Sequence, residues 1–306
     1  MKILVTGGAG FIGSHVVEAY LDAGHEVVVV DDLSSGHAEN VDDRATFHRL
    51  DVRSPEVARL IADVRPDVIN HHAAQMNVRL SVENPSFDAD INVMGLVNVF
   101  EAGRNAGTRR LVFASSGGTV YGEPDVLPTD EGQPLIPVCP YGITKLTGEH
   151  YLEYYARVHG MHTVALRYAN IYGPRQDPHG EAGVVAIFSQ LQLAGKTMKI
   201  NGDGLQTRDY VFVGDVVRAN VAALETSFRG AVNIGTGVET SVVDLAARLR
   251  EIVGGDAGAT HAPANDGEVR RSVLDASLAA RALDWTPRTS LDEGLAATVD
   301  YFRARA

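Results

Sequence analysis

Three glycines near the start of the chain constrain its fold more than any other feature. Gly8, Gly10 and Gly13 form the pattern G-x-G-x-x-G, and Gly7 adds a fourth glycine. The pattern follows a short apolar run and precedes apolar residues at helical spacing, so it predicts a strand, a tight turn and a helix. A second apolar run at residues 26–30 completes a βαβ unit, in which the helix N-terminus and bare glycine backbone can hold a phosphate. The alternative is an ordinary glycine-rich turn.

Composition and charge exclude several classes of protein. The 306 residues are 45% apolar and 22% charged, which is typical of an ordered globular chain. A net charge of −12 opposes binding to nucleic acid or to an anionic membrane, so neither is an expected partner. Cys139 is the single cysteine and no long apolar stretch occurs at the start, so we expect a cytoplasmic protein.

Strand and helix patterns alternate through the first half of the chain. This alternation predicts an α/β fold, a Rossmann-type doubly wound parallel sheet. After about residue 167 the alternation of strand and helix patterns becomes irregular, which predicts a smaller C-terminal substrate-binding lobe. The predicted domains are residues 1–167 and 168–306, with interleaved boundaries. The predicted strands are 46–50, 68–71, 110–114 and 162–168, and the predicted helices are 57–64, 86–106 and 141–158.

An acidic residue ends the second predicted strand. Asp31 lies 18 residues after Gly13, where a carboxylate accepts hydrogen bonds from ribose hydroxyls and repels a 2′-phosphate. No arginine occurs at residues 31–43, so the pattern favours NAD over NADP as the cofactor; the alternative is a solvated acid at the strand end. The candidate phosphate and ribose contacts are Gly7, Gly10, Phe11, Ile12, Gly13, Asp31, Ser35, Gly36 and the more solvated Asp32.

A tyrosine and a lysine one helical turn apart are the candidate catalytic pair. Tyr141 and Lys145 form Y-x-x-x-K at the start of a predicted helix, which places both side chains on one face. A phenol with a pKa of about 10 is a poor base, but a nearby ammonium, helped by a cationic nicotinamide, favours its phenolate. The spacing alone is common, and its meaning comes from the preceding βαβ unit and serine-rich strand end.

That strand end, residues 113–122, reads F-A-S-S-G-G-T-V-Y-G. Here the sequence resembles the extended short-chain dehydrogenase/reductase family, and within it the bacterial UDP-glucose 4-epimerases. The resemblance extends over essentially the whole chain. Further matching segments are Asp51-Val52, residues 71–75, Asn92, residues 167–176 and residues 208–216.

The resemblance implies roles for residues around the cofactor and the sugar. Ser116 is expected to bond the sugar hydroxyl that is oxidised, with Thr119 as the fallback, although counting back from Tyr121 puts Gly117 at the usual serine position. Asp51 and Val52 are expected to meet the adenine, and Tyr168 to lie against the nicotinamide. The other implied cofactor contacts are Ala73, Ala74, Gln75, Asn92, Ser115, Tyr141 and Lys145.

The resemblance also implies a site for the nucleotide. Arg208 is expected to bind the diphosphate, because a guanidinium suits it; the alternative is an ion pair with Asp209. Many relatives have Arg-x-Gly-Asp where residues 265–268 read N-D-G-E, so a second phosphate arginine is missing and Arg270 is the candidate substitute. The implied substrate contacts are Ser116, Gly117, Thr119, Tyr141, Asn170, Val184, Val185, Lys199, Ile200, Asn201, Arg208 and Arg270.

These residues imply NAD-dependent 4-epimerisation of a UDP-hexose, UDP-glucose or UDP-galactose, through a transient 4-keto sugar. Related dehydratases carry an Asp-Glu pair where this chain has Gly118-Thr119, which favours epimerisation over elimination. One alternative substrate is UDP-glucuronate, disfavoured by Asp177 where its epimerases carry a second arginine, and another is a UDP-N-acetylhexosamine. An alternative of another class is a catalytically silent NAD-sensing module.

Two further expectations concern metal and assembly. Residues 177–181 contain acids and a histidine, but they lie in a Pro/Gly loop, so no metal site is expected. The helices at 86–106 and 141–158 match the pair through which relatives dimerise, so we expect a homodimer. The candidate apolar seam is Leu96, Val99, Leu152 and Tyr155; the alternative is that this face packs inside the monomer.

Overall fold

A computed structural model describes residues 1–178, 183–264 and 269–305. Its strands are β1 (Lys2–Thr6), β2 (Glu26–Asp31), β3 (Thr46–Arg49), β4 (Val68–His71), β5 (Arg110–Ser116), β6 (His162–Tyr168), β7 (Asn170–Tyr172), β8 (Met198–Asn201), β9 (Thr207–Arg208), β10 (Tyr210–Phe212), β11 (Gly230–Ile234), β12 (Thr240–Ser241), β13 (Ala259–Ala262) and β14 (Arg271–Ser272). Its α-helices are α1 (Phe11–Asp22), α2 (Pro55–Val64), α3 (Val78–Glu83), α4 (Pro85–Ala89), α5 (Leu96–Ala106), α6 (Gly117–Val120), α7 (Pro140–His159), α8 (Val184–Leu193), α9 (Val213–Glu225), α10 (Val242–Val253), α11 (Ser277–Leu283) and α12 (Leu291–Arg303).

A seven-stranded sheet with the order β11-β6-β5-β4-β1-β2-β3 forms the centre of the molecule. All neighbouring strands in it run parallel. Strand β1 lies between β2 and β4, so the winding direction reverses beside it and leaves a crevice at the carboxyl ends of these strands. The prediction of a doubly wound parallel α/β fold is confirmed.

The apolar run in β2 shows why the sheet is covered on both faces. Val27 and Val29 pack in one hydrophobic cluster with α1 and α9, while Val28 and Val30 pack in a second cluster with α2 and α5. Successive side chains of a strand point to opposite faces, so a continuous apolar strand requires helices on both sides.

The helix predicted at residues 86–106 is interrupted. Helix α4 ends at Ala89, a π-helical turn spans Asp90–Gly95, and α5 then begins at Leu96. The widened turn carries Asn92. Its side-chain oxygen accepts a hydrogen bond from the backbone amide of Gln75, and its side-chain nitrogen donates one to the carbonyl oxygen of Gln75. Such turns mark places where a side chain leaves the regular helical path to serve a site.

The C-terminal lobe has its own core, in which α8, α10 and α12 pack around buried apolar side chains. The chain nevertheless returns to the main sheet, because β11 pairs with β6. The predicted boundary after residue 167 also falls one residue before the end of β6, at Tyr168. In the described part of the chain, no helix combines the length and apolar character that crossing a membrane requires.

The four residues predicted as a dimer seam lie inside the monomer. Leu96 and Val99 are 0% exposed, Leu152 is 3% and Tyr155 is 2% exposed, all within the cluster between the sheet and helices α5 and α7. The prediction of this seam was wrong, because these apolar stripes cover the sheet. The exposed apolar side chains of the same region are different ones: Phe87, Met94, Ile143 and Tyr154.

Candidate active site

The predicted cofactor and catalytic residues meet at the carboxyl edge of the sheet. Thr6 ends β1 and pairs in register with His71 at the end of β4. Ser116 ends β5 and lies in register with Tyr168 of β6. This edge is where open parallel sheets bind their ligands.

The glycine turn after β1 is built for close approach of a ligand to bare backbone. A Cβ on Gly13 would stand 2.1 Å from the carbonyl oxygen of Gly7, and one on Gly7 would stand 2.6 Å from the nitrogen of Ala73. Gly7 also has a φ of +71°, which favours glycine. Helix α1 starts at Phe11 with no side-chain cap on Gly10, so its first amides remain available as donors. The turn therefore fits a dinucleotide pyrophosphate.

Asp31 ends β2 beside this turn and is 7% exposed. Its two oxygens accept the amides of Ala9, at 3.0 Å, and Leu33, at 2.9 Å. Each carboxylate oxygen keeps a second lone pair, which leaves capacity for a ribose hydroxyl. Gly36 packs against Asp31, whereas Asp32 and Ser35 are exposed. The fold thus positions Asp31 and Gly36 at the glycine turn. Asp32 and Ser35 lie on its solvent-exposed side.

The predicted adenine contacts are held by neighbouring groups. Both oxygens of Asp51 accept hydrogen bonds from Arg53, which also pairs with Asp90. The Val52 side chain is buried against Gly95 of the π-helical turn. These contacts fix the strand-end loop at one side of the crevice.

Gln75 and Asn92, predicted to line the cofactor site, bond mainly to each other and to a third residue. Asn92 Oδ1 accepts from the backbone nitrogen of Gln75 at 2.8 Å, and Asn92 Nδ2 donates to the carbonyl oxygen of Gln75 at 2.9 Å. Both side-chain amides also donate to Asp88, which the sequence analysis did not single out. Ala73 and Ala74 are half-buried in the same loop. The two amides therefore shape the loop after β4, and their own polar atoms are engaged within it.

Tyr141 and Lys145 lie together on the first turns of α7. The Lys145 ammonium is 5.6 Å from the centroid of the Tyr141 ring and donates to the carbonyl oxygen of Ala114 at 2.9 Å. Lys145 is 4% exposed, whereas Tyr141 is half-buried. The predicted spacing thus brings phenol and ammonium to one place beside the end of β5.

Burial is the largest influence on the pKa values of this pair. Burial raises the pKa of Tyr141 above its usual value, and the carboxylate of Asp88 raises it further. Burial lowers the pKa of Lys145 to about 8, although Asp88 acts to raise it. Desolvation therefore opposes the charged form of both groups, and the role of Lys145 in favouring the Tyr141 phenolate stays a prediction.

The two serines at the end of β5 and the threonine of α6 have different surroundings. Ser115 is 3% exposed and donates to Glu149, so its hydroxyl is engaged away from the crevice. Ser116 is half-buried, and its Oγ would lie 3.9 Å from a Cβ on Gly118. Thr119 has a buried hydroxyl with no hydrogen-bond partner among the described residues. Buried hydroxyls are normally bonded, so a ligand group is a suitable partner for it.

Gly117 occupies the position that usually carries serine. A Cβ there would stand 2.4 Å from Leu274 Cδ1, so a serine requires Leu274 to move. The close packing of this glycine leaves Ser116 and Thr119 as the hydroxyl candidates. The site thus keeps both side chains that the sequence analysis had proposed.

A buried ion pair that sequence reasoning missed ties α7 to the sheet. Arg167 and Glu149 form a salt bridge at 2.7 Å, with side chains 5% and 8% exposed. Arg167 also donates to the Tyr121 hydroxyl at 2.7 Å, and Glu149 accepts from Ser115 at 2.5 Å. Glu149 follows Lys145 by four residues, so the helical spacing was the signal that could have revealed it.

Two histidines and a tyrosine line the crevice behind this pair. Burial, followed by the positive charge of Lys145, lowers the pKa of His71 and of His72 to about 3. His72 stacks on Tyr168 with ring centroids 6.3 Å apart, and the Tyr168 hydroxyl accepts from Asn220. Tyr168, the predicted nicotinamide contact, is thus fixed from two sides.

The predicted phosphate-binding residues lie in or directly beside three short strands, β7, β9 and β14. Asn170 opens β7, and its Oδ1 would lie 4.0 Å from a Cβ on Gly118, the same position that Ser116 approaches. Arg208 ends β9, and the amide of the preceding Thr207 bonds the carbonyl of Arg270. The Arg270 guanidinium forms a salt bridge with Asp203 at 2.7 Å. The fold therefore brings Arg208 and Arg270 together, with Arg270 engaged by a carboxylate.

The remaining predicted substrate contacts lie in the C-terminal lobe. Val184 and Val185 open α8, and Lys199, Ile200 and Asn201 belong to β8. The side chains of Val185 and Ile200 are 1% and 2% exposed in the core of that lobe, so only their backbone can face a ligand. Residues 265–268, where the sequence departs from the family, and 179–182 of the histidine loop lie outside the described residues. Within the described ranges, no group of three His, Cys, Asp or Glu side chains is placed to hold a metal ion.

Comparison with known proteins adds to this geometry. The model of the NAD dependent epimerase/dehydratase family matches residues 3–235. The UDP-glucose 4-epimerase of Mycolicibacterium smegmatis is 48% identical, over 100% of both chains.

Two crystal structures also match over the full chain. The UDP-glucose 4-epimerase of Thermotoga maritima, solved with UDP-glucose, is 47% identical with a TM-score of 0.98 and covers 100% of this chain and 99% of its own. The UDP-glucose 4-epimerase of Thermus thermophilus, solved with NAD, is 44% identical with a TM-score of 0.95 and covers 100% of both chains. This chain therefore belongs to the NAD dependent epimerase/dehydratase family.

Proposed function

We propose that this protein is an NAD-dependent 4-epimerase that interconverts UDP-glucose and UDP-galactose through a transient 4-keto sugar. The full-length similarity to UDP-glucose 4-epimerases, at 47–48% identity, carries this proposal. The paired Tyr141 and Lys145 beside the Ser116 strand end supply the chemistry that such a reaction requires.

In the proposed reaction, the Tyr141 phenolate removes the proton from the 4-hydroxyl of the sugar and later returns it. Ser116 or Thr119 orients that hydroxyl, and the Lys145 ammonium stabilises the phenolate. Bound NAD supplies hydride acceptance and return at carbon 4, so no net oxidation occurs. Burial raises the pKa of Tyr141, and a cationic nicotinamide bound beside it would act with Lys145 to lower that pKa.

The residues present fit NAD and a diphosphate. The glycine turn accepts a pyrophosphate, Asp31 keeps lone pairs for ribose hydroxyls, and Tyr168 lies beside the strand ends. Arg208 in β9 and Arg270, directly before β14, are the candidate guanidinium groups for the substrate diphosphate, and Arg270 is also paired with Asp203. Gly118-Thr119 places no carboxylate where an elimination would need one.

The deciding experiment incubates purified protein with UDP-glucose, UDP-glucuronate and UDP-N-acetylglucosamine separately, with and without added NAD, and resolves the products. We expect UDP-galactose from UDP-glucose, with no net NADH. Formation of UDP-galacturonate without UDP-galactose would overturn the proposed substrate. Inertness toward all three, with NAD still bound, would favour the NAD-sensing alternative.

A tyrosine variant separates the proposed mechanism from simple binding. Tyr141→Phe removes the base, so turnover should fall on the order of 10²- to 10⁴-fold. Tyr154→Phe on the exposed side of the same helix is the matched control and should keep full activity. Unchanged turnover in Tyr141→Phe would refute the mechanism.

We also infer that two copies of this chain pair in the cytoplasm as a homodimer. Helices α4 and α7 and the π-helical turn expose Phe87, Met94, Ile143 and Tyr154, of which Met94 is 58% and Ile143 is 52% exposed. Burial of such a patch against a second copy removes apolar surface from water. Light scattering should give a dimer, and Ile143→Glu with Met94→Glu should give a folded monomer. A wild-type monomer at micromolar concentration would exclude this inference.

A further inference from the structure

A fully buried carboxylate lies beside the Tyr141–Lys145 pair. Asp88, in α4, is 0% exposed. Its oxygens accept hydrogen bonds from Gln75 Nε2 at 2.8 Å, Asn92 Nδ2 at 3.1 Å and Thr144 Oγ1 at 2.9 Å. Among the described residues, no lysine, arginine or histidine forms an ion pair with it. A carboxyl group that only accepts, from three neutral donors, has the bonding pattern of an ionised carboxylate.

The three donors belong to three different parts of the site. Gln75 lies in the loop after β4, which packs against the glycine turn, and Asn92 lies in the π-helical turn. Thr144 lies in α7, directly before Lys145, and its hydroxyl is also 3.0 Å from the carbonyl oxygen of Tyr141. Asp88 therefore joins the loop that borders the cofactor crevice to the helix that carries the catalytic pair.

The charged and titratable groups around the pair come from three elements. Lys145 is the buried cation of α7, and the Cys139 thiol precedes that helix. His71 and His72 at the end of β4 are neutral near pH 7, since their pKa values are lowered to about 3. Asp88 is thus the negative charge that offsets Lys145 in this buried region.

We propose that Asp88 is a positioning residue of this active site, which locks the loop after β4 onto α7 and supplies the counter-charge for Lys145. Its hydrogen bonds and its charge have separate consequences. The hydrogen bonds hold Tyr141 and Lys145 against the cofactor crevice, and the charge keeps Lys145 protonated. The charge also opposes ionisation of Tyr141, so Asp88 sets the pH range of the pair.

Asp88→Asn removes the negative charge and keeps the shape of the side chain, so it should shift the pKa values of the neighbouring groups. Asp88 acts to raise the pKa of Lys145 and that of Tyr141. Its loss should lower both pKa values, on the order of one pH unit for the loss of a buried charge. If activity requires the Tyr141 phenolate and the Lys145 ammonium, both limbs of the kcat–pH profile move to lower pH.

The primary test measures Lys145 directly and does not depend on catalysis. The chain has four lysines, so ¹³Cε-lysine NMR can resolve them, and Lys145→Arg assigns the signal. With the protein in one fixed NAD state, the Lys145 midpoint should fall by about one pH unit in Asp88→Asn. An unchanged midpoint in folded Asp88→Asn would overturn the proposed counter-charge. If Asp88→Asn does not fold, Asp88→Ala removes the same charge without leaving an amide among the three donors, and the same criterion applies.

Two matched variants separate charge from structure. Thr144→Val removes one hydrogen bond and keeps the carboxylate, so it should lower thermal stability and leave the Lys145 midpoint in place. Glu153→Gln makes the same acid-to-amide change on the exposed side of α7, where Glu153 pairs with Arg157, and should alter neither quantity. A Thr144→Val shift equal to that of Asp88→Asn would assign the effect to packing and reject the proposal.

The activity arm of the test rests on the proposed epimerase function. Asp88→Asn should displace the kcat–pH profile to lower pH while KM for the nucleotide sugar changes less than about threefold, because Asp88 is buried behind the pair. A uniform loss of kcat with unmoved midpoints would indicate a structural role alone and overturn the proposal. If the wild type turns over none of the nucleotide sugars, the proposed function fails, whereas the NMR result still decides the role of Asp88.

Discussion

The ammonium of Lys145 lies 5.6 Å from the centroid of the Tyr141 ring. The two groups share one buried place, in which burial disfavours the charged form of each. Its surroundings include the carbonyl oxygen of Ala114, which accepts a hydrogen bond from Lys145, and the carboxylate of Asp88. Its chemistry depends on these neighbours as much as on the Y-x-x-x-K spacing.

The buried ammonium should leave a signature in the pH dependence of stability. Lys145 has a pKa of about 8 in the fold against 10.5 when unperturbed, so between these values its side chain binds more protons in the unfolded state, and its own contribution to stability rises with pH. Lys145→Met removes this dependence. The free energy of unfolding of the Lys145→Met variant minus that of wild type should therefore be lower at pH 10.5 than at pH 8, by roughly 3 kcal/mol. Denaturant unfolding of nucleotide-free protein at both ends of the range measures the difference, and parallel curves would contradict it.

The choice between two hydroxyls can be made by paired substitutions. Ser116 approaches the space beside Gly118 and Asn170, whereas Thr119 has a buried hydroxyl that lacks a partner among the described side chains. Ser116→Ala should lower kcat about 10²-fold if Ser116 holds the reacting sugar hydroxyl. Thr119→Val, which keeps the shape of threonine, should then cost much less. The reverse order of the two effects would assign the role to Thr119.

The salt bridge below the site should support both stability and the position of α7. Glu149→Gln leaves the Arg167 guanidinium buried without its counter-charge, and loss of one partner of a buried pair costs on the order of 3–5 kcal/mol. Ser115→Ala removes only the hydroxyl that bonds Glu149, so it should cost about 1 kcal/mol. Chemical denaturation measures both. Equal small losses would show that the pair is not a main support of the fold.

The glycine turn offers a sharp steric test. Gly13→Ala would place a Cβ 2.1 Å from the carbonyl oxygen of Gly7, so the turn must open and NAD affinity should fall at least tenfold. Gly258→Ala is the matched control, because a Cβ there meets no atom within 4 Å. Calorimetric titration with NAD on both variants measures the effect. Wild-type affinity in Gly13→Ala would show that the ligand does not use this turn.

Local sequence was sufficient for the parts of the site that one element encodes. The run at β2 is apolar on both faces, and the glycine pattern lies between a strand and a helix, so the parallel sheet and its phosphate turn were predictable from periodicity and backbone sterics. The pairing of Tyr141 with Lys145 also follows from helical spacing alone.

Contacts between distant segments were decided only by the tertiary structure. Asp88, Glu149 and Arg167 look like ordinary charged residues in the sequence, and their burial arises because α4, α7 and β6 converge there. Packing of α5 against the sheet buries Leu96 and Val99 in the core, and burial also raises the pKa of Tyr141. Desolvation depends on every chain segment that excludes water from a group, so the sequence determined which residues could react, and the assembled fold decided their charge, their partners and their exposure.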